Sequence, residues 1–275
     1  YDSVEKLHKL DVERAWLYRS EAEWAYSHHQ SITFFQGRFY AIWSNARRDE
    51  DSPGQRVLLS TSTDGMAWRT PHPLVDSQAG KASPLILTAA GFHSYRGTLA
   101  AYFGQYEFPE GQDSGPHSNH DLNVMTTTDG MTWTAPAGLG IPITPNHGPQ
   151  ATASGRLILS GNISFPYTDV PTGLSGWTMT GIYPPTMAAT VFDDPEGFWH
   201  VRKAMNWPYG LCEGSFYQTD DGILHMLLRM SRPSPDILPR LWVTESADDG
   251  KTWSAPTQTD FTDNDTKFHL GRLPD

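Results

Sequence analysis

Imidazole and guanidinium groups are the side chains of this sequence best equipped for chemistry near neutral pH. Eleven histidines are present. His28 and His29 are adjacent, His117 and His120 follow a turn-rich stretch, and His147 sits in Asn146-His147-Gly148-Pro149. A histidine exchanges protons near neutrality, so two that face one space can serve as base and acid. Arg229 closes the apolar run Leu224–Leu228, and Arg232 follows three residues later. A guanidinium placed so either lies on the surface or grips a carboxylate through two parallel hydrogen bonds. The stretch Ser44–Asp51 carries Asn45, two arginines and the carboxylates Asp49, Glu50 and Asp51, which can lie in solvent, cap turns or hold a cation. Taken singly, each histidine reads first as a solvated or hydrogen-bonded side chain. The case for chemistry rests on convergence.

Convergence requires a scaffold, and the sequence repeats. Thr61-Ser-Thr-Asp64-Gly65-Met-Ala-Trp68, Thr126-Thr-Thr-Asp129-Gly130-Met-Thr-Trp133 and Ser246-Ala-Asp248-Asp249-Gly250-Lys-Thr-Trp253 share an Asp-Gly-x-x-Trp core. The third copy is a full Asp box, Ser-x-Asp-x-Gly-x-x-Trp. Aligned on Asp64, Asp129 and Asp249, the first two read as degenerate boxes with Thr63 and Thr128 where the third has Asp248. A carboxylate that caps backbone N–H groups, a Gly at positive φ and a Trp packed into the sheet make a hairpin turn, which is scaffolding and not catalysis. Asp64 and Asp129 lie 65 residues apart and Asp129 and Asp249 lie 120 apart, about two periods. A worn copy is expected midway, and Asp193-Asp194-Pro-Glu-Gly197-Phe-Trp199 stands there.

Each period repeats the same order of strands: inner strand, Gly turn, second strand, loop, third strand, box and fourth strand. Blade one reads Ser31–Gln36, Arg38–Trp43 and Arg56–Thr61. Blade four reads Gly214–Thr219, Ile223–Met230 and Arg240–Glu245. Insertions at Glu107–Asn119 and Phe165–Trp177 enlarge the middle two. The expectation is an all-β β-propeller of four-stranded blades with Asp-box turns. Residues 1–27 form an N-terminal decoration with one or two helical turns in Ser3–Tyr26, and residues 28–275 form the blades. Four blades are visible, and Phe268–Asp275 reads as the start of a fifth, so the chain is expected to be truncated at its C-terminal end.

In a propeller the loops joining strands two to three, and strand four to the next strand one, emerge opposite the box turns. That places His28, His29, Asn45, His117, His120, Asn146, His147, Asn162, Arg229 and Arg232 on one face. His93 falls elsewhere.

Twenty basic residues against 31 acidic ones give a net charge of −11, with no Lys/Arg-rich stretch, which excludes a nucleic-acid partner. No run approaches the roughly 18 apolar residues of a membrane span. Ten Trp, 11 Tyr and 12 Phe suit flat sheets and sugar-stacking surfaces. The lone Cys212 forms no internal disulfide and reads as a buried small residue. With His200 and His225 it offers three soft ligands, but the spacing fits no compact zinc motif. The chain starts at Tyr1, as a processed precursor does, and a secreted, periplasmic or cell-surface location is expected.

The His28-His29 pair with the strand Gly37–Ser44, the Glu50-Asp51-x-x-Gly54-Gln55 loop, Asn146-His147-Gly148-Pro149-Gln150 and Gly155-Arg156-Leu157 together resemble seven-bladed propellers acting on rhamnose–uronate glycans. These are the ulvan lyases, rhamnose-glucuronate lyases and related α-L-rhamnosidases. More distantly, the Asp boxes are similar to those of sialidases. The resemblance implies cleavage of an anionic polysaccharide by β-elimination beside a uronate, needing no cofactor, with a structural zinc or calcium ion left open. It implies His120 and His147 as base and acid, Tyr209 as a second proton carrier and Arg229 on the carboxylate. His29, Asn45, Asn146, Asn162, Glu213 and Arg232 become candidate substrate contacts. The rhamnosidases imply hydrolysis instead, with His28 or His29 acting. A sialidase-like enzyme or a non-catalytic sugar-binding propeller are further alternatives. The protein is expected to be a monomer.

Overall fold

The computed structural model describes residues 11–187, 203, 210–230, 240–264 and 266–271. Apart from a 3-10 turn at Pro185–Met187, the named elements are strands. Strands β1 (Tyr26–Phe35), β2 (Arg38–Ala46), β3 (Arg56–Ser62) and β4 (His72–Val75) form an antiparallel sheet in sequence order. Strands β5 (Ile86–Tyr95), β6 (Thr98–Glu107), β7 (Ser118–Thr127) and β8 (Ala137–Gly138) form the second. A smaller sheet of β9 (Gln150–Ala151), β10 (Leu157–Ile158) and β11 (Tyr167–Thr168) follows. The last sheet is β12 (Leu211–Gln218), β13 (Leu224–Met230), β14 (Arg240–Ser246) and β15 (Thr257–Thr262). Three of the sheets are thus the expected unit, four antiparallel strands in an up-and-down meander, and the third has three short strands among the described residues.

The sheets pack face to face because their strands alternate. Tyr40, Ile42, Val57 and Leu59 of the first sheet meet Leu87, Leu99 and Phe103 of the second. The intervening residues of the second sheet, Ala100, Tyr102, Leu122 and Val124, turn the other way to join Ile143 and Leu159. Ile158, one residue from Leu159, points into a further core with Phe216, Leu224 and Leu228 of the last sheet. Strands buried on both faces read as nearly continuous apolar runs, as β2 and β6 do.

The turns differ from expectation in one detail. Asp64 Oδ1 accepts from Met66 N at 2.9 Å and Ala67 N at 2.8 Å, and Asp129 Oδ1 accepts from Met131 N and Thr132 N at 2.8 Å each. In the third box the equivalent acceptor is Asp248, which takes Thr252 N at 2.8 Å. Asp249 instead adopts φ 61° and accepts from Ser154 Oγ at 2.6 Å. The first two boxes are thus one residue shorter and keep the capping carboxylate.

The expected helical turns near the N-terminus are absent from its described part. Residues 11–25 run irregularly along the outside of the first sheet, where the Tyr18 ring packs tilted against Trp43 at 5.5 Å and Arg56 covers Trp24 at 3.7 Å. Aromatic packing, not helix propensity, directs that segment. The worn box at Asp193–Trp199 and the residues His200, Tyr209 and Arg232 lie outside the described residues.

Candidate functional site

The inner strands carry a repeated irregularity. In β1 the pairing with β2 slips between His28 and Ser31, in β5 between Ala89 and Gly91, and in β12 between Cys212 and Ser215. At the first and last slips a non-glycine residue takes a left-handed conformation: His29 at φ 56° and Glu213 at φ 49°. A β-bulge re-aims side chains that a regular strand would send to opposite faces. It puts the rings of consecutive His28 and His29 4.1 Å apart. The bulge in β12 turns Glu213 onto Arg229, the ladder partner of the preceding Cys212, with Nε donating to Oε2.

These bulges open onto a cleft of about 1080 Å³. Its lining includes His28, His29, Glu50, His147, Glu213 and Arg229, with Tyr26, Asn146, Lys267 and His269 beside them. Glu50 comes from the β2–β3 loop, which Ser52 closes by donating to Asp49 Oδ1 at 2.6 Å. Buried Gln55 ties the loop to the second sheet through Leu87 O at 3.1 Å. Glu50 Oε1 stands 3.4 Å from His28 Nε2 and 3.3 Å from His29 Nε2. The hydrogen bond from His29 holds the Glu50 carboxyl below its usual range.

His147 reaches the cleft because its neighbour is glycine. A Cβ on Gly148 would stand 2.3 Å from the Phe92 carbonyl oxygen, and one on Gly91 would stand 2.4 Å from Gly148 N, so the inner strands touch backbone to backbone. Burial pulls the His147 imidazole down to about 4, leaving it neutral at pH 7. The ring of His269 meets it edge-on at 4.9 Å. Residues 266–270 are anchored on both sides, by Asn146 Nδ2 donating to Phe268 O at 3.3 Å and by Leu270 N donating to Ser215 Oγ at 2.9 Å. On this segment Lys267 is pushed down to about 8 by burial and stays a cation at neutral pH.

The sequence-derived residues separate into groups. His29, Asn146, His147, Glu213 and Arg229 line the cleft together, as does His28. Asn146 faces inward structurally as well, bonding Gly214 O at 3.1 Å. Asn45 is fully buried between Tyr26 O and Arg56 Nε, and Asn162 is exposed outside the lining. His120 also lies outside the lining, in a second cluster where Nε2 meets Thr144 Oγ1 at 3.0 Å. There Tyr106 stacks on His117 at 4.0 Å and hydrogen-bonds Asp51, while burial drives His120 down to about 3. Cys212 and His225 stand toward opposite ends of the β12–β13 ladder, opposite Arg229 and Tyr217 respectively. His225 pairs with Glu245 at 3.0 Å. Lys267 escaped the sequence reading because the signal for it was only its proximity to Phe268-His269, whereas Glu50 was read there as one of three loop carboxylates able to lie in solvent, cap a turn or hold a cation.

Solved structures with the same arrangement of sheets define the class. A protein of unknown function from Dyadobacter fermentans superposes with a TM-score of 0.62 at 15% identity, covering 93% of this chain and 74% of its own. The sialidase of Trypanosoma rangeli, complexed with sialic acid, superposes at 0.53 with 16% identity and 83% of this chain covered. This chain spans 37% of that sialidase's length. A family 117 glycoside hydrolase from Zobellia galactanivorans superposes at 0.51 with 13% identity, covering 88% and 73%. The fold is therefore the one found in sialidases. The sequence pattern of the BNR repeat-like domain matches residues 37–275, and the chain belongs to that family. Comparison with curated proteins gives no match.

Proposed function

We propose that the sheets are the blades of a propeller and that the cleft binds an acidic carbohydrate and cleaves it by β-elimination beside a uronate. One observation carries the reading: the neutral imidazole of His147 and the cations Lys267 and Arg229 line the same cleft. In this reading Arg229 holds the uronate carboxylate and stabilises the enolate-like charge. His147 takes the proton from C5, the C4–O4 bond breaks as the C4–C5 double bond forms, and Lys267 returns a proton to O4. His147 ends protonated and Lys267 neutral, and exchange with water resets both. His120, sequestered beside Thr144, has no part in the step. Likeness of fold to carbohydrate-active enzymes supports the substrate class. A polysaccharide substrate also suits a monomer at a secreted, periplasmic or cell-surface location.

A second reading is favoured by a different pair. Glu50 and Glu213 are two carboxylates in the cleft that His28 and His29 also line, the equipment of a glycoside hydrolase, whether the carboxylates act or, as in the rhamnosidases, a histidine does. Incubation with rhamnose–glucuronate and rhamnose–iduronate polysaccharides separates the two. Elimination gives an unsaturated uronate seen by its ultraviolet absorbance, in step with new reducing ends. Reducing sugar without that absorbance establishes hydrolysis, and neither product on any uronate glycan removes both readings.

A further inference from the structure

We infer that His28, His29 and Glu50 form a binding site for a transition-metal ion, with zinc the best match. The three offer ligand atoms that all lie within 4.8 Å of one another, a mixed group of two imidazoles and a carboxylate. The distances carry the argument. Zinc holds nitrogen and oxygen ligands at about 2.1 Å in a tetrahedron, whose edges are then about 3.4 Å. Glu50 Oε1 lies 3.4 Å from His28 Nε2 and 3.3 Å from His29 Nε2. A charge-assisted hydrogen bond would draw such a pair to about 2.8 Å. The observed spacing is longer than that of a short charge-assisted pair and matches the edge between two ligands of one ion, so the His29–Glu50 contact can open around a metal with little movement.

The backbone is arranged for the same end. Neighbouring residues of a strand point to opposite faces, and the bulge after His28, with His29 at φ 56°, overrides this so that both rings meet one carboxylate. Left-handed backbone at a residue with a side chain is strain of the kind that collects at functional sites. Behind the ring, His29 Nδ1 lies 3.2 Å from Ser44 Oγ, which is itself fixed by the Ala89 N–H at 2.9 Å. Such an outer partner orients a metal-bound imidazole. Two nitrogen donors favour zinc over calcium or magnesium, which take oxygen ligands. Three protein ligands leave a fourth position, and the side chains of His28 and Glu50 are 34% and 46% exposed toward the cleft. That position can take water or an oxygen of the bound sugar, where the ion acts as a Lewis acid.

Metal binding does not depend on the elimination reading and is measured without turnover. The protein, stripped with chelator and dialysed, is titrated with zinc chloride by calorimetry and then with cobalt(II), whose visible bands report a four-coordinate nitrogen–oxygen site. One equivalent of each binds, and Glu50→Gln and His28→Ala each weaken binding by about 100-fold or more. His28→Ala removes a half-exposed ring and leaves the His29 conformation alone, and a thermal melt of the metal-free variant verifies that it is folded. His225→Ala, at the far end of the last sheet, leaves the stoichiometry at one. The inference is overturned if no equivalent binds, if both cleft variants bind as the parent does, or if His225→Ala removes the bound equivalent.

Discussion

Two histidines with similar sequence credentials have different surroundings once the chain is folded. His147 and His120 both follow short polar stretches, yet the first borders the cleft and the second is enclosed with Tyr106, His117 and Thr144. Burial lowers both, to about 4 and about 3, so neither is an acid at neutral pH. Proton donation falls instead to Lys267, at about 8. If His147 must be neutral and Lys267 charged, kcat/KM rises with pH through about 4 and falls through about 8, and a profile with both limbs near 6.5 contradicts the assignment. Replacing the donor, Lys267→Met, lowers kcat by about 100-fold or more while polysaccharide binding persists. A change confined to KM would instead make Lys267 a substrate contact.

Strands and turns supply the precision that loops alone lack. The slips in β1, β5 and β12 recur at the same point of the inner strand, so one device, repeated from sheet to sheet, delivers His29 and Glu213 to the cleft. Where the third sheet approaches the second, the device is absence of a side chain. Gly148→Ala sets a methyl against the Phe92 backbone, which has no flexible end to yield. Its expected cost is about 1–3 kcal/mol in denaturant titration, with loss of activity because His147 moves with the strand. The boxes are tested on the opposite side of the sheets. Asp129→Ala removes the acceptor shared by Met131 N and Thr132 N and lowers Tm, leaving kcat unchanged in the folded fraction. A fall in kcat in fully folded protein would show that the turns do more than support the sheets.

At the scale of the whole molecule, the buried imidazoles tie stability to acidity. Their folded pKa values lie below the unfolded value near 6.5, so the folded state binds fewer protons than the unfolded chain. Stability is therefore full above about 6.5 and declines as the pH falls from there toward 4. The depressed Glu50 carboxyl acts in the same direction, its contribution being lost as acid protonates it. His147 alone corresponds to about 3 kcal/mol by pH ~4. Thermal melts across this range should show a falling Tm, with a shallower slope in His147→Asn; a flat dependence would mean that these rings are not held neutral.

The all-β class, the blade-like sheets and the turn positions were legible in the sequence because they are local. Alternation, Gly turns and Asp-Gly-x-x-Trp cores act over a few residues, and the face carrying His28, His29, His147 and Arg229 follows from strand order. The helical reading failed over residues 11–25, the described part of the N-terminal segment, because spaced apolar residues look alike whether they line one face of a helix or, as Tyr18 and Trp24 do, pack on the outside of a sheet. That Asp64 and Asp129 match Asp248 in role, although aligned with Asp249, was likewise hidden, since the first two boxes are shorter by one residue. Tertiary structure alone decided that Lys267 stands near His147, 120 residues away in sequence, and that two bulges turn His29 and Glu213 toward one space. Burial, backbone strain and meetings between distant strands are properties of the packed sheets, and no short-range pattern encodes them.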